Sequence, residues 1–191
     1  MNIVSILGSP RPKGNSAAME RRLLDAAEAR GHEVQRFELG KLQYTGCIAC
    51  FGCKKKAAHC IVKDDLAPVL AAVRECDVLV VATPVYFGEV SAQFKGFIDR
   101  CFSFLVPDYA QTTEKSRLAP GKQMVWLIAQ GHPKTDLFAD IYPRYEYFFD
   151  RYINFDRCHL VRACGVYNAG DVDTRDDVRE QIDTLAEKLF G

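Results

Sequence analysis

Four cysteines, Cys47, Cys50, Cys53 and Cys60, follow one another at the spacing C-x2-C-x2-C-x6-C. Three thiolates at the first two intervals can wrap one side of a compact inorganic cluster while the fourth closes it, as in bacterial cysteine runs with a shorter last interval. Zinc more often takes two C-x2-C pairs separated by a longer arm and is the weaker reading. A thiol–disulfide switch stays open, because each C-x-x-C could close on itself. Lys54, Lys55 and Lys56 directly follow Cys53 and could attract an acidic electron donor or a phosphate, although such a run also suits a plain solvated loop. His59 needs no role as a ligand. Cys76, Cys101, Cys158 and Cys164 sit on or beside apolar stretches and read as small core residues.

A second group lies at Gly8–Ser16, between the apolar run Ile3–Leu7 and a helical pattern. A turn from strand into helix aims free backbone N–H groups and a positive dipole end at one point, which suits a phosphate. Ser9 and Ser16 add hydroxyls, Asn15 an amide and Arg11 a charged fork. There is no G-x-G-x-x-G, and Gly14 is followed by Asn15 and Ser16 where a Walker loop needs Lys then Ser or Thr. ATP and a first-strand dinucleotide site are thereby demoted, which leaves a mononucleotide such as a flavin phosphate, or an ordinary capped turn. The third group is Pro84, Val85, Tyr86, Phe87 and Gly88. Tyr86 and Phe87 offer faces for stacking, and Gly88 lets backbone N–H groups approach a ring closely enough to tune it. Alone this is a proline-ended strand plugged by aromatics; paired with the first loop it favours a flavin.

The elements that must position these groups follow from composition and period. The chain has 191 residues, 48% of them hydrophobic, enough for one α/β core, so residues 1–191 are expected to form one domain with a Cys-rich loop at 44–61. Lys+Arg and Asp+Glu are both 25, so no net field draws the chain to nucleic acid or an anionic membrane. The first apolar run is five residues long and lacks a basic lead, and a cytoplasmic chain is expected. Helices are expected over 15–30, 66–73, 91–104, 142–152 and 175–190. Strands are expected over 3–7, 33–39, 77–83 with Pro84 as the stop, 124–129 and 160–167, and a long polar connection over 106–121. This alternation predicts a doubly wound five-stranded parallel sheet of flavodoxin-like order 2-1-3-4-5, whose ligands lie beyond the carboxyl ends of strands one and three. The loops at Ser9–Ser16, the cysteines, Pro84–Gly88 and Gln130–Lys134 then share one edge.

Gly8-Ser9-Pro10-Arg11 with Gly14-Asn15-Ser16, and Thr83-Pro84-Val85-Tyr86-Phe87 with Ser91-Ala92-Gln93-Phe94-Lys95 and Asp99-Arg100, resemble the flavodoxin-like NADPH-dependent FMN reductase superfamily over nearly the whole chain. The resemblance implies FMN, with its phosphate on Ser9, Arg11, Asn15 and Ser16, its ring against Pro84 to Gly88, and further contacts from Gln130, Gly131 and His132. Lys95 and Arg100 would pair on the helix surface or brace the loop. It also implies a homodimer or homotetramer, for which Tyr145, Phe148, Phe149 and Tyr152 are either a contact stripe or core. The cysteine run, followed by Asp64 and Asp65, resembles the iron–sulfur flavoprotein branch, which implies a [4Fe-4S] cluster on Cys47, Cys50, Cys53 and Cys60.

The expected function is an FMN-dependent oxidoreductase that passes electrons from a ferredoxin-like or NAD(P)H donor, through cluster and FMN, to a small-molecule acceptor. No side chain is expected to act as acid, base or nucleophile, since the chemistry resides on the flavin. The rivals are a cluster-free NAD(P)H-dependent FMN, quinone or azo-compound reductase, and a non-enzymatic flavin electron carrier or redox sensor.

Overall fold

The computed structural model describes every residue from Met1 to Gly191. Its strands are β1 (Asn2–Leu7), β2 (Glu33–Glu38), β3 (Val78–Tyr86), β4 (Glu89–Val90), β5 (Lys122–Gln130) and β6 (Phe155–Cys164). The helices are α1 (Asn15–Glu28), α2 (Gly52–Lys55), α3 (Leu66–Glu75), α4 (Ala92–Arg100), α5 (Ile141–Ile153) and α6 (Asp176–Phe190). Five strands run parallel in the order β2-β1-β3-β5-β6, the doubly wound order expected, and the two-residue β4 pairs antiparallel with the end of β3.

The apolar strands lack alternation because both faces of the sheet are covered. Val78, Val80 and Ala82 face α1 and α6 with Ile3, Leu7 and Leu23, whereas Leu79 and Val81 face α3, α4 and α5 with Val69, Phe94 and Trp126. The edge strand β2 has no fully buried residue, which explains its mixed composition. No helix is long and apolar enough to cross a membrane.

The larger differences from the sequence-based expectation lie at β3, at the last strand, at the end of α4 and in the connection over 106–121. Pro84 does not stop β3, which continues to Tyr86 and pairs Pro84 with Ala129 of β5. Backbone groups two residues apart on a strand point the same way, and the Ala82 carbonyl accepts from Gly8 on the β1 side. The Pro84 nitrogen therefore points to the side where β1 has already ended, and its missing N–H removes no ladder bond. The last strand starts and stops earlier than 160–167, because Asp156 and Arg157 are exposed at the sheet edge and hide it from a hydrophobic pattern, while Gly165 (φ +78°) turns the chain out. The helix expected to run to residue 104 ends at Arg100 and tightens into a 3-10 turn over Cys101–Phe104. The connection over 106–121 is folded back on itself, with Val106 N–H donating to the Lys115 carbonyl at 2.9 Å and Arg117 N–H to that of Phe104 at 2.7 Å.

One buried charge lies under the sheet. Glu20 of α1 is fully buried and accepts from Ser5 Oγ at 2.6 Å and from Arg36 Nη2 at 2.8 Å. Burial raises its carboxyl above the ordinary range despite the opposing pull of Arg36 and Ser5. A raised native value means that the native state holds this proton more tightly than the unfolded chain. The resulting stability is full at low pH and lost as pH rises through the native value. Relative to Glu20→Gln, which leaves Arg36 paired with Glu38 at 2.7 Å, the wild type should lose stability as pH rises above the usual carboxylate range. Urea midpoints of both proteins across that range check this; parallel curves would contradict it.

Candidate functional site

The carboxyl ends of β1, β3, β5 and β6 surround a cavity of about 1010 Å³. That lies at the upper end of the range for small-molecule and cofactor sites.

One end of the cavity is formed by the turn after β1 and the start of α1. Helix α1 starts at Asn15 after Gly14, with no side-chain cap on its first N–H groups and no acidic residue in its first turn. Those donors and the dipole remain available to a ligand. Ser9, Arg11, Asn15 and Ser16 all line this end, whereas Gly14 lies behind it, its N–H bonded to the Arg11 carbonyl at 3.0 Å. Ser16 is a buried residue whose hydroxyl has no partner in the chain, and Arg11 stands exposed on the wall in no ion pair. Ser9 Oγ accepts from Arg11 N–H at 3.1 Å and so shapes the turn. Asn15 departs from the expected role. Its amide donates to the Val166 and Asn168 carbonyls at 3.1 and 2.8 Å, and its Oδ1 accepts from Val172 N–H at 3.2 Å, which ties α1 to the loop after β6. The amide is therefore a strut, and what Asn15 offers an anion is its place at the helix start.

The opposite end is aromatic. Tyr86 and Glu89 close a two-residue hairpin whose central residues, Phe87 (φ 50°) and Gly88 (φ 83°), are both left-handed, the conformation that matches strand twist in tight hairpins. Phe87 bears the strain of that conformation with its ring fully in solvent on the cavity rim. A Cβ on Gly88 would meet Phe138 Cε1 at 3.2 Å, so the glycine permits close approach of the next wall. Pro84, Val85 and Tyr86 complete this side. Glu89 anchors the hairpin to α5, accepting from Tyr145 Oη at 3.1 Å and from Arg144 Nη2 at 3.0 Å. Ser91 caps α4, accepting from Phe94 N–H, and its hydroxyl donates to the Gly8 carbonyl, joining this hairpin to the turn after β1.

Gln130, Gly131 and His132 form the third wall. The Gln130 side chain is committed to shaping it, donating to the His132 and Lys134 carbonyls at 2.7 and 2.9 Å and accepting from Arg162. His132 Nδ1 accepts from Lys134 N–H at 3.2 Å. The walls that sequence reasoning missed are Ala129, Pro133, Phe138, Val166 and Tyr167. Tyr167 packs so tightly on Gly131 that a Cβ there would sit 2.9 Å from its ring. Its omission follows from running the last strand on to 167, which hid the loop after β6; the rule that ligands gather at strand carboxyl ends, applied to that strand, would have found it.

The four cysteines lie together on a separate pocket with Ile48, Phe51, Ile61 and Phe102, and no carboxylate lines it. Cys47 and Cys50 are exposed, Cys60 half-buried and Cys53 buried. No three His, Cys, Asp or Glu side chains converge on one metal-ion-sized point. The free space among the thiols is about 20 Å³, the size of a water, so seating a cluster displaces apolar side chains of the loop. Cations from the scaffold hold the loop by its backbone. Arg117 Nη1 donates to the Cys53 carbonyl at 2.8 Å and Arg74 Nη2 to that of Ala58 at 2.7 Å. Lys54 belongs to this frame and is no solvated charge: its Nζ donates to the Phe102 and Leu105 carbonyls, both at 2.6 Å, and burial lowers its pKa. Lys55 and Lys56 remain exposed. His59 is exposed beside Cys60. Lys95 pairs with Asp99 at 2.5 Å on the surface, whereas Arg100 is buried and braces the loop. Among the remaining cysteines, Cys76 and Cys101 are buried in the core, whereas Cys158 and Cys164 are half-buried; burial pushes the Cys76 and Cys158 thiols up to about 12 and Cys101 upward as well.

A family model described as NADPH-dependent FMN reductase matches residues 1–127. An iron–sulfur flavoprotein of Methanocaldococcus jannaschii is 38% identical over 100 residues, 52% of this chain and 51% of that protein. An iron–sulfur flavoprotein of Archaeoglobus fulgidus is 36% identical over 104 residues, 54% of this chain and 47% of that protein. The chain thus spans about half the length of the curated relatives it matches. Among solved structures, an FMN-dependent NADH-azoreductase from Bacillus anthracis in complex with FMN aligns with all of both chains at a TM-score of 0.72 and 14% identity. An NAD(P)H:quinone oxidoreductase from Methanothermobacter marburgensis aligns over 100% of this chain and 95% of its own at 0.71 and 17%. At these identities the two structures show a shared fold.

Proposed function

The chain belongs to the NADPH-dependent FMN reductase family, and from that premise we propose that it is an FMN-dependent oxidoreductase of the iron–sulfur flavoprotein type. The observation that carries the reading is the course of α4. Its capping residue, Ser91, joins the aromatic hairpin to the anion-binding turn, and its last residue, Arg100, lies on the pocket of the four thiols. Nine residues at 1.5 Å rise separate the two sites by roughly 13 Å along the helix.

The residues fit FMN at the larger cavity. The α1 start with Ser9, Arg11 and Ser16 receives the phosphate, the hairpin Pro84–Gly88 bounds the ring, and the Gln130–His132 loop covers a third side. Bound FMN supplies one- or two-electron chemistry, while the protein orients it and sets its electrostatics. No side chain of the cavity needs to act as acid or base.

The residues also fit a [4Fe-4S] cluster by the chemistry of the donor set, four thiols in an apolar pocket framed by the buried Arg100 and the half-buried Arg117. A cluster there supplies single electrons. The exposed Lys55 and Lys56 beside Cys53 suit an acidic, ferredoxin-like donor, with NAD(P)H as the other donor class and a small molecule as acceptor. A cytoplasmic homodimer or homotetramer fits the chain. The expected aromatic stripe divides, with Tyr145 and Phe149 in the core, Tyr152 half-buried, and Phe148 exposed beside Tyr147.

The water-sized space among the thiols favours a second reading, a cluster-free NAD(P)H-dependent reductase in which the cysteines pack the loop. Anaerobic purification with iron, sulfide and flavin analysis separates the two. About four irons per flavin is the expected result. Flavin without iron, bleached stoichiometrically and fast by NADPH in a stopped-flow cell, would establish the second reading, and protein that binds no FMN would sink both.

A further inference from the structure

We infer that Arg100 is a positioning residue for the iron–sulfur site, holding the Cys60 sulfur by a direct hydrogen bond and setting the reduction potential there. This rests on the cluster reading above.

Arg100 is 1% exposed, at the end of α4, and all five of its N–H groups have acceptors. Nε donates to Cys60 Sγ at 3.0 Å. Nη1 donates to Asp64 Oδ2 at 2.8 Å and to the Thr45 carbonyl at 3.0 Å, and Nη2 to Asp64 Oδ1 at 3.2 Å and the Val62 carbonyl at 3.4 Å. One planar cation therefore clasps both ends of the cysteine loop, Thr45 before Cys47 and Val62 after Cys60, and places a donor on the sulfur of the last ligand. A lysine presents its protons from a single point and cannot reproduce that fork.

The arrangement is excessive for a mere brace. Burying a guanidinium carries a desolvation cost that one carboxylate offsets only with good geometry. Here the carboxylate takes two of the five donors and a sulfur takes another. A cluster held by four thiolates carries net negative charge that grows on reduction. Hydrogen bonds to its sulfurs and nearby positive charge favour the reduced form and raise the potential. Asp64, held ionised below the ordinary range because Arg100 and two backbone donors outweigh its burial, moderates that effect. The two charges thus act in opposite senses on the site.

The test is an anaerobic potentiometric titration of the cluster followed by electron paramagnetic resonance, on the FMN-loaded protein with iron counted in every sample. In Arg100→Lys, which keeps the charge and loses the fork, the reduced-to-oxidised ratio at the wild-type midpoint should fall about tenfold, a downward shift of about 59 mV for one electron. In Asp64→Asn, which keeps the Arg100 guanidinium and loses the opposing charge, the midpoint should move upward. An iron-replete Arg100→Lys with the wild-type midpoint, or both variants shifting in the same direction, would overturn the assignment. If Arg100→Lys binds FMN but holds no iron, Asp64→Asn decides alone: an upward shift supports the assignment and an unmoved midpoint overturns it. Absence of iron from the wild type removes the cluster reading and this assignment together, whereas full iron with unmoved midpoints removes this assignment only.

Discussion

Replacing Cys53 or Cys60 by serine should take the anaerobically purified protein from about four irons per chain to almost none while FMN binding stays stoichiometric. Serine is near-isosteric but binds iron as a much poorer ligand than a thiolate. The loop should keep its course without that sulfur, because its backbone is held independently by Arg117 at Cys53, Arg74 at Ala58 and Arg100 at Thr45. The FMN cavity shares none of the four cysteines, so its occupancy reports whether the fold survived. Cys76→Ser is the control. That thiol is buried against the sheet, donating to the Val73 carbonyl at 3.2 Å, and its loss should lower stability without changing iron. Iron retained in both Cys53→Ser and Cys60→Ser would remove these residues from the site.

Alanine at both Arg11 and Ser16 should weaken FMN binding by about 10²- to 10³-fold. A hydrogen bond to a charged group contributes roughly 1.5–3 kcal/mol and a neutral one about 1 kcal/mol. Their sum of about 2.5–4 kcal/mol corresponds to that loss at 1.4 kcal/mol per factor of ten. Neither residue holds the fold. Arg11 is exposed, and the Ser16 hydroxyl has no partner in the chain, so thermal stability of the apo protein should change little. Asn15→Ala should behave differently and lower apo stability, since its amide and carbonyl make three bonds to the loop after β6. Fluorescence titration of the apo protein with FMN measures the first effect and thermal unfolding the second. Unchanged FMN affinity in the double variant would take the phosphate away from the α1 start.

The two predictions draw on different kinds of legibility. Ser9, Arg11 and Ser16 were readable because a strand, a glycine turn and a helix start are local, and a helix start presents donors wherever it occurs. The spacing of the four cysteines was enough to group them, and they line one pocket. Asn15 and Gln130 lie on the cavity, but their amides bond to segments that only the folded chain brings near, Val166 and Asn168 for one and the loop to Lys134 for the other. Lys54 looked like part of a solvated run and is a backbone clamp, since the carbonyls of Phe102 and Leu105 lie about fifty residues away. Phe138 and Tyr167 were missed for the same reason: an aromatic in a loop carries no local sign of the cavity it walls.

By itself the sequence determined the order of the parallel strands and the edge at which ligands gather. Hydrophobic period and turn residues act over a few positions, and right-handed crossovers leave few ways to wind the strands they predict. The carboxyl ends of those strands then coincide whatever the side chains beyond them do. Only the tertiary structure decided what each polar side chain there is free to offer. A buried donor must find an acceptor, and whether Asn15, Gln130, Lys54 or Arg100 meets a backbone carbonyl, a carboxylate or a sulfur depends on segments distant in the chain.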